Sequence, residues 1–391
     1  MKILITTDLY FTSTNGVVTS VRNLTEGLRE KGHEVRILTV SNKMESYKEG
    51  DFYFVKSLPL GFVYPDVRMP ISYRNYMIKE LIDWKPDVIH SQCEFFTYQF
   101  AKRISKLTGA PLVHTYHTLY ENYVKYVIPS ERVGRRVVKN FSRYRLRKAD
   151  VIIAPTGKVE DTLRGYGMKN HISVIPSGIS LEQHHYRMED AERNRKRATL
   201  GIPEDHHVLL SLGRVGAEKN LAELIKFFAT ALQNNSKLTF LIVGDGPDRE
   251  NLQNLSEKLG IQNNVIFTGM VNPSEVQQYY QLADIFMCAS ISETQGLTYI
   301  EAAANGLPLL CRQDNALRGI VIDGINGYQY TSRTDFLEKL DRIVSDVQWR
   351  KQAGKNSEEI AETFGTEHFA ERIEDIYMEE CHAEEHASIA Q

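Results

Sequence analysis

The chain of 391 residues contains no apolar run approaching the ~18 residues of a membrane-crossing helix, so no transmembrane segment is expected. Its start, Met1-Lys2-Ile3-Leu4-Ile5-Thr6-Thr7-Asp8, lacks the long apolar region of a signal peptide and reads as a first strand. Cysteine is scarce, and Cys93, Cys288, Cys311 and Cys381 form no close pair. That argues against a disulfide framework or a zinc site and for the cytoplasm. No Asp-x-Asp triplet occurs, which leaves no obvious carboxylate pair for a catalytic metal. Gly244-Asp245-Gly246-Pro247 follows a strand pattern but lacks the third glycine of a dinucleotide fingerprint, because position 249 is Arg. A nicotinamide dehydrogenase is therefore disfavoured, and those glycines can simply turn the chain. No nucleic-acid motif, repeat or low-complexity segment is present.

What is present is an ordinary globular composition, 42% hydrophobic and 25% charged, long enough for two domains with a core each. The net charge of −3 conceals a split. Residues 1–178 carry 27 Lys and Arg against 17 Asp and Glu, while the remainder carries 20 against 33. A cationic first half points to an anionic partner, nucleic acid or an acidic membrane.

Short apolar runs alternate with helical patterns throughout. Strands are expected at Lys2–Thr7, Glu34–Val40, Phe52–Lys56, Val88–His90, Pro111–Tyr116, Val151–Ala154 and Ile172–Ile175. A second series falls at His207–Leu212, Leu238–Val243, Val265–Thr268, Ile285–Met287 and Leu307–Leu310. Strand–helix alternation predicts α/β architecture, two doubly wound parallel sheets facing across a cleft, with ligands at the strands' carboxyl ends. Pro176-Ser177-Gly178 and the polar stretch up to Arg197 read as the interdomain linker. From Ser332 to about Glu380 only helices are expected.

The sharpest motif is Ser292-Glu293-Thr294-Gln295-Gly296-Leu297-Thr298-Tyr299-Ile300-Glu301. A helix starting near Leu297 would aim backbone N–H groups at a phosphate, with a carboxylate on either side. That suits a sugar nucleotide. Gly213-Arg214-Val215-Gly216-Ala217-Glu218-Lys219-Asn220 offers two cations, Arg214 and Lys219, for a pyrophosphate leaving group. Taken alone it reads equally as a solvated loop. Asn15-Gly16-Val17-Val18 is a second candidate phosphate turn, or an ordinary strand–helix turn. His117 ends a strand and is either catalytic or structural.

From Tyr120 to Lys148 the chain is strongly basic and aromatic. Tyr120, Tyr123, Tyr126 and Phe141 are interleaved with Lys125, Arg132, Arg135, Arg136, Lys139 and Arg143. Val133, Val137, Phe141 and Tyr144 recur at helical spacing, which fits an anionic membrane surface. The other reading is a helix with this apolar stripe turned inward and its charges in water. The charge split favours the membrane.

Together these motifs, with Phe267-Thr268-Gly269, resemble the retaining family-4 glycosyltransferases of the GT-B fold. Within that family, His114-Thr115-Tyr116-His117-Thr118-Leu119-Tyr120-Glu121-Asn122-Tyr123 followed by Tyr126 is similar to the bacterial diacylglycerol glucosyltransferases. The resemblance implies that Glu293 holds donor-sugar hydroxyls and Glu301 the ribose. It assigns Arg214 and Lys219 to the pyrophosphate, helped by backbone at Gly16, Val17, Gly244, Gly296, Leu297 and Thr298. Met270 would border the uracil, and His117 would face the transferred sugar. It further implies domains at 1–178 with a returning helix at about 364–391, for acceptor and membrane, and at 179–363, for the nucleotide sugar. Ser177-Gly178-Ile179-Ser180 departs from the family's Asn-Gly-Ile/Val-Asp, and Ala303 replaces a bulkier residue.

The implied reaction moves glucose from UDP-glucose to the 3-hydroxyl of 1,2-diacylglycerol with retention. The β-phosphate oxygen takes the acceptor proton, and no protein base is expected near His117. No prosthetic group, essential metal or nucleic-acid partner is expected, and the protein would sit peripherally on the cytoplasmic face of the membrane. The sequence leaves open UDP-galactose as donor, and a glucolipid, saccharide or small-molecule acceptor. A non-enzymatic sugar-nucleotide-binding protein is the reading of another class.

Overall fold

The computed structural model describes residues 1–9, 15–60, 68–73, 75–124, 128, 130–184 and 187–389, with the side chains of all of these but Asn122, Tyr123, Gln183 and residues 384–389. Two compact units divide the chain: Met1–Ile179 with Thr366–Gln391, and Ser180–Gly365.

In the first unit the strands are β1 (Lys2–Thr6), β2 (Glu34–Val40), β3 (Tyr47–Glu49), β4 (Phe52–Val55), β5 (Ser57–Pro59), β6 (Arg68–Pro70), β7 (Val88–Ser91), β8 (Leu112–Thr115), β9 (Val151–Ala154) and β10 (His171–Val174). Helices are α1 (Gly16–Glu30), α2 (Tyr76–Trp84), α3 (Thr97–Thr108), α4 (Glu121–Val124), α5 (Glu131–Leu146) and α6 (Gly157–Gly165). The main sheet has the order β10-β9-β8-β7-β1-β2-β4-β3. It is parallel except at its β3 edge, which pairs antiparallel with β4. β5 and β6 form a separate antiparallel pair. These short edge pieces depart from the purely parallel expectation. They lack the continuous apolar run that marks a strand buried on both faces, as Val151–Ala154 does.

The second unit holds α7 (Asp190–Thr199), β11 (His207–Leu212), α8 (Leu221–Asn234), β12 (Leu238–Val243), α9 (Arg249–Lys258), β13 (Val265–Phe267), α10 (Val276–Leu282), β14 (Ile285–Cys288), α11 (Leu297–Ala304), β15 (Leu309–Arg312), β16 (Gly327–Tyr330), α12 (Arg333–Ser345) and α13 (Val347–Glu362). Its sheet, β13-β12-β11-β14-β15-β16, is parallel throughout.

The units divide at Ile179 and Ser180, at the start of the stretch read as a linker, but its end is folded into the second unit. That end contains α7, which packs by its cations rather than by apolar residues. Arg197 is 3% exposed, donates to the Leu282 carbonyl and meets Asp284 at 2.8 Å. Arg193 reaches the same carboxylate at 2.8 Å. These two guanidinium groups hold the Asp284 carboxyl below its ordinary range despite burial.

The last helix, α14 (Thr366–Ile389), belongs to the first unit and lies along α1. Gly27 permits the approach, since a Cβ there would stand 2.8 Å from the Ala370 Cβ. Phe369, Ala370, Ile373 and Tyr377 join Ile3, Ile5 and Val21 in one apolar cluster. The Tyr377 hydroxyl is 2.6 Å from His90 Nδ1 beneath the sheet.

Candidate active site

In the second sheet the strand order reverses between β11 and β14, the place where doubly wound sheets take ligands at the strands' carboxyl ends. Three loops are clasped there. Val215 N donates to Asp245 O at 2.9 Å, and Gly244 N to Gly269 O at 3.1 Å. Gly244 sits at φ +125, and a Cβ on it would lie 2.0 Å from the Gly213 carbonyl oxygen. Its absent side chain therefore lets two backbones touch. The exposed Met270 follows Gly269 on the third loop.

The clasped loop after β11 carries both predicted cations. Lys219 Nζ stands 2.5 Å from Glu293 Oε1, and Arg214 Nη1 stands 3.7 Å from Glu218 Oε1. Arg214 and Lys219 line one pocket with Gly213, Cys288 and Thr298. Ser290 and Ser292 each direct a hydroxyl to the Glu218 carbonyl at 3.4 Å, tying the loop after β14 to the loop after β11.

Gly296 caps α11 at φ +80. A Cβ there would meet the Tyr299 ring at 2.3 Å, so the position demands glycine. This cap brings no side chain to the first N–H groups of the helix, at Leu297 and Thr298, an arrangement that suits an anion. Glu301 lies one turn further on and accepts a 2.7 Å hydrogen bond from the buried Tyr280 hydroxyl. Burial pushes its carboxyl pKa up, and the Tyr280 bond opposes the shift. The structure thus brings Arg214, Lys219, Glu293, Gly296, Leu297 and Thr298 to one strand-end rim. Ser290 and Tyr280, which support it, carried no motif.

In the first sheet the order reverses between β1 and β7. Gly16 is exposed at the start of α1, whose Asn15 side chain accepts from Val18 N at 3.0 Å; Val17 is half-buried beside it. His117, just past β8, has Nε2 2.8 Å from Gln92 Oε1. Burial, reinforced by the neighbouring His114, lowers its pKa to about 3, so the ring is neutral at physiological pH.

Two carboxylates stand at these strand ends. Asp8, past β1, accepts from the N–H groups of Phe96 and Thr97 at 3.2 and 2.7 Å and thereby caps α3. Burial raises its carboxyl to about 6. Glu94, past β7, is 1% exposed and accepts from the Tyr120 hydroxyl and from His114 Nε2. Neither residue belongs to a recognisable motif.

The basic segment falls largely on α5. Its inward positions are Gly134, Val138, Ser142 and Leu146. The stripe Val133, Val137 and Tyr144 faces solvent, at 52%, 47% and 64% exposure, so the inward-stripe reading is wrong. Arg132, Arg136 and Arg143 are exposed beside it. Arg135 instead pairs with Glu121 and Glu131, and Lys139 donates to the Gly165 carbonyl. Phe141 is half-buried against Phe95. Lys125, Tyr126 and the Tyr123 side chain lie outside the described residues. Among the described residues no group of three or more metal-binding side chains occurs, and no helix is long and apolar enough to cross a membrane.

Comparison with known proteins agrees with this architecture. Residues 14–183 match the family described as Glycosyltransferase Family 4, and residues 192–360 match Glycosyl transferases group 1. The alpha-monoglucosyldiacylglycerol synthase of Streptococcus pneumoniae is 34% identical over 97% of this chain and 86% of its own length. The protein of the same name from Acholeplasma laidlawii is 30% identical over 97% of both. The HepE protein of Anabaena, solved in complex with UDP-glucose, superposes with a TM-score of 0.74 at 18% identity, covering 97% of this chain and 100% of its own. The chain belongs to the family-4 glycosyltransferases of the GT-B fold.

Proposed function

We propose that this glycosyltransferase moves glucose from UDP-glucose to the 3-hydroxyl of 1,2-diacylglycerol, giving an α-glucosyl lipid at a membrane surface. The second unit takes the nucleotide sugar and the first unit the acceptor. Arg214 and Lys219 bind the pyrophosphate with the backbone of Leu297 and Thr298, assisted by Gly16 and Val17. Glu293 takes sugar hydroxyls, Glu301 the ribose, and Met270 borders the uracil. His117 faces the transferred sugar as a neutral hydrogen-bonding group.

The bond from the sugar's anomeric carbon to the β-phosphate oxygen breaks as the acceptor oxygen bonds to that carbon from the same face. The acceptor proton passes to the β-phosphate oxygen. Arg214 and Lys219 stabilise the charge left on UDP, a contribution of about 3 kcal/mol for one well-placed group. In this reading they supply the positive charge the leaving group requires.

The observation that carries the lipid reading is the outward face of α5. Three apolar side chains at helical spacing stand in water among Arg132, Arg136 and Arg143. Such a face suits an anionic bilayer, where each cation contributes about 1 kcal/mol. Two relatives, each matched over 97% of this chain and named as monoglucosyldiacylglycerol synthases, support the acceptor. On this reading the protein is peripheral, on the cytoplasmic face.

Incubation with UDP-glucose and diacylglycerol in anionic liposomes, read by lipid mass spectrometry, tests the proposal, with UDP-galactose in parallel. A hexosyl-diacylglycerol formed with UDP-glucose is expected. Transfer only to a water-soluble acceptor would refute it.

A further inference from the structure

Glu94 is a buried carboxylate whose one ion-pair partner among the described residues is a histidine, His114. Among the described residues no Lys or Arg forms a salt bridge with it. Its partners are the Tyr120 hydroxyl on one oxygen and His114 Nε2, at 3.3 Å, on the other. His114 is fully buried and its Nδ1 has no partner among the described residues. Burying such a group costs free energy that an apolar side chain would avoid. The compensation lies in what it holds still.

Tyr120 is the middle of an aromatic series. Its ring meets Phe95 edge-on at 5.3 Å and Tyr116 at 6.0 Å. Phe95 stacks on Phe141 at 5.6 Å. Phe141 continues the stripe Val133, Val137 and Tyr144 on α5, and Phe95 is itself 39% exposed. Arg145 closes the rim, donating to the Phe95 carbonyl at 3.2 Å with its guanidinium 5.5 Å from the Phe141 ring centre. An unbroken apolar path therefore runs from the outward face of α5 to the carboxyl ends of β7 and β8, where Gln92 holds His117.

We propose that Phe95, Tyr120 and Phe141 form the shelf on which the acceptor's glycerol and ester groups rest, and that Glu94 is the positioning residue that locks the shelf. This inference rests on the diacylglycerol reading above. A lipid acceptor must bring one hydroxyl out of a bilayer to the reacting carbon, and a rigid aromatic surface guides that end at low entropic cost. Tyr120 contributes its ring to the lipid and spends its hydroxyl on Glu94, so ring orientation, not a bond to substrate, is what the carboxylate secures. The shelf is selective for glycerolipid over sugar acceptors because its lining is apolar while its anchor is hidden.

The test measures KM for diacylglycerol, as mole fraction in mixed micelles, beside KM for UDP-glucose and the melting temperature. Tyr120→Phe, which removes only the clasped hydroxyl, is expected to raise the diacylglycerol KM about fivefold, the loss of one hydrogen bond's ordering, with the UDP-glucose KM unchanged. Phe95→Ala is expected to do the same or more. Glu94→Ala should reproduce Tyr120→Phe, and Glu94→Gln, which still accepts from Tyr120, should restore a near-wild-type value. Unmoved diacylglycerol KM in both Tyr120→Phe and Phe95→Ala overturns the shelf. Glu94→Gln behaving like the alanine variant overturns the positioning role. A wild-type protein that transfers nothing to diacylglycerol overturns the lipid reading, and the shelf with it.

Discussion

The two units reverse their strand order in the same way and end in opposite chemistry. At the ends of β11 and β14 the charges are paired and partly open to solvent: Lys219 with Glu293, Arg214 with Glu218. At the ends of β1, β7 and β8 the groups are largely shielded and, among the described residues, form no salt bridge with a Lys or Arg: Asp8 raised to about 6, His117 held neutral, the buried Glu94 bound by Tyr120 and His114. One topology thus supports either rim, because loop residues rather than strand order decide what a sheet end can bind. A pyrophosphate needs fixed cations. An acceptor hydroxyl on a lipid needs a dry, uncharged approach.

The largest expected effect separates the two rims by rate. Lys219→Ala should lower kcat about 10²–10³-fold, the usual cost of one charge-stabilising group, in a steady-state transfer assay. A variant within a fewfold of wild type would remove Lys219 from the donor rim. Gly296→Ala should also cripple donor use, because its Cβ would strike the Tyr299 ring.

Next in size is a control that distinguishes functional from structural ion pairs. Arg197→Ala leaves the half-buried Asp284 with one partner fewer, and should cost about 1.5–3 kcal/mol of stability in denaturant unfolding. Unchanged stability would mean that α7 is not held by this pair.

Smaller still is the surface term. Arg136→Glu with Arg143→Glu should weaken binding to anionic liposomes by about 1 kcal/mol or more per position in flotation, with UDP binding unchanged. Liposome binding that ignores both changes would disconnect α5 from the membrane.

The narrowest test concerns pH. The folded His117 titrates near 3 and the unfolded histidine near 6.5, so the unfolded chain binds the proton first. The stability this gives is present at neutral pH and lost as pH falls from 6.5 toward 3. His117→Asn should flatten that part of a stability profile, and a parallel profile would contradict the neutral ring.

Much of this was legible in the chain, for a physical reason. Strands buried on both faces are continuous apolar runs, so Val151–Ala154 and Leu238–Val243 announce themselves. Tyr47–Glu49 and Gly327–Tyr330 do not, being short and partly polar. α7 escaped notice because it docks through Arg193 and Arg197, which periodicity scores as solvent-facing. At the ends of β11 and β14, residue type marked Lys219 and Glu293, but their pairing joins positions 74 apart in sequence. Periodicity found the stripe on α5 and was silent about which way it faces. Glu94 carried no motif at all; only its burial beside Tyr120 and His114 reveals it.

The most direct measurement is a calorimetric titration of UDP into two variant proteins, one altered at each rim. Lys219→Ala should lose affinity for UDP by about tenfold or more, the worth of one charge-assisted contact, while Tyr120→Phe binds UDP as the wild type does. If Tyr120→Phe loses UDP affinity and Lys219→Ala keeps it, the division of labour between the two strand-end rims is wrong.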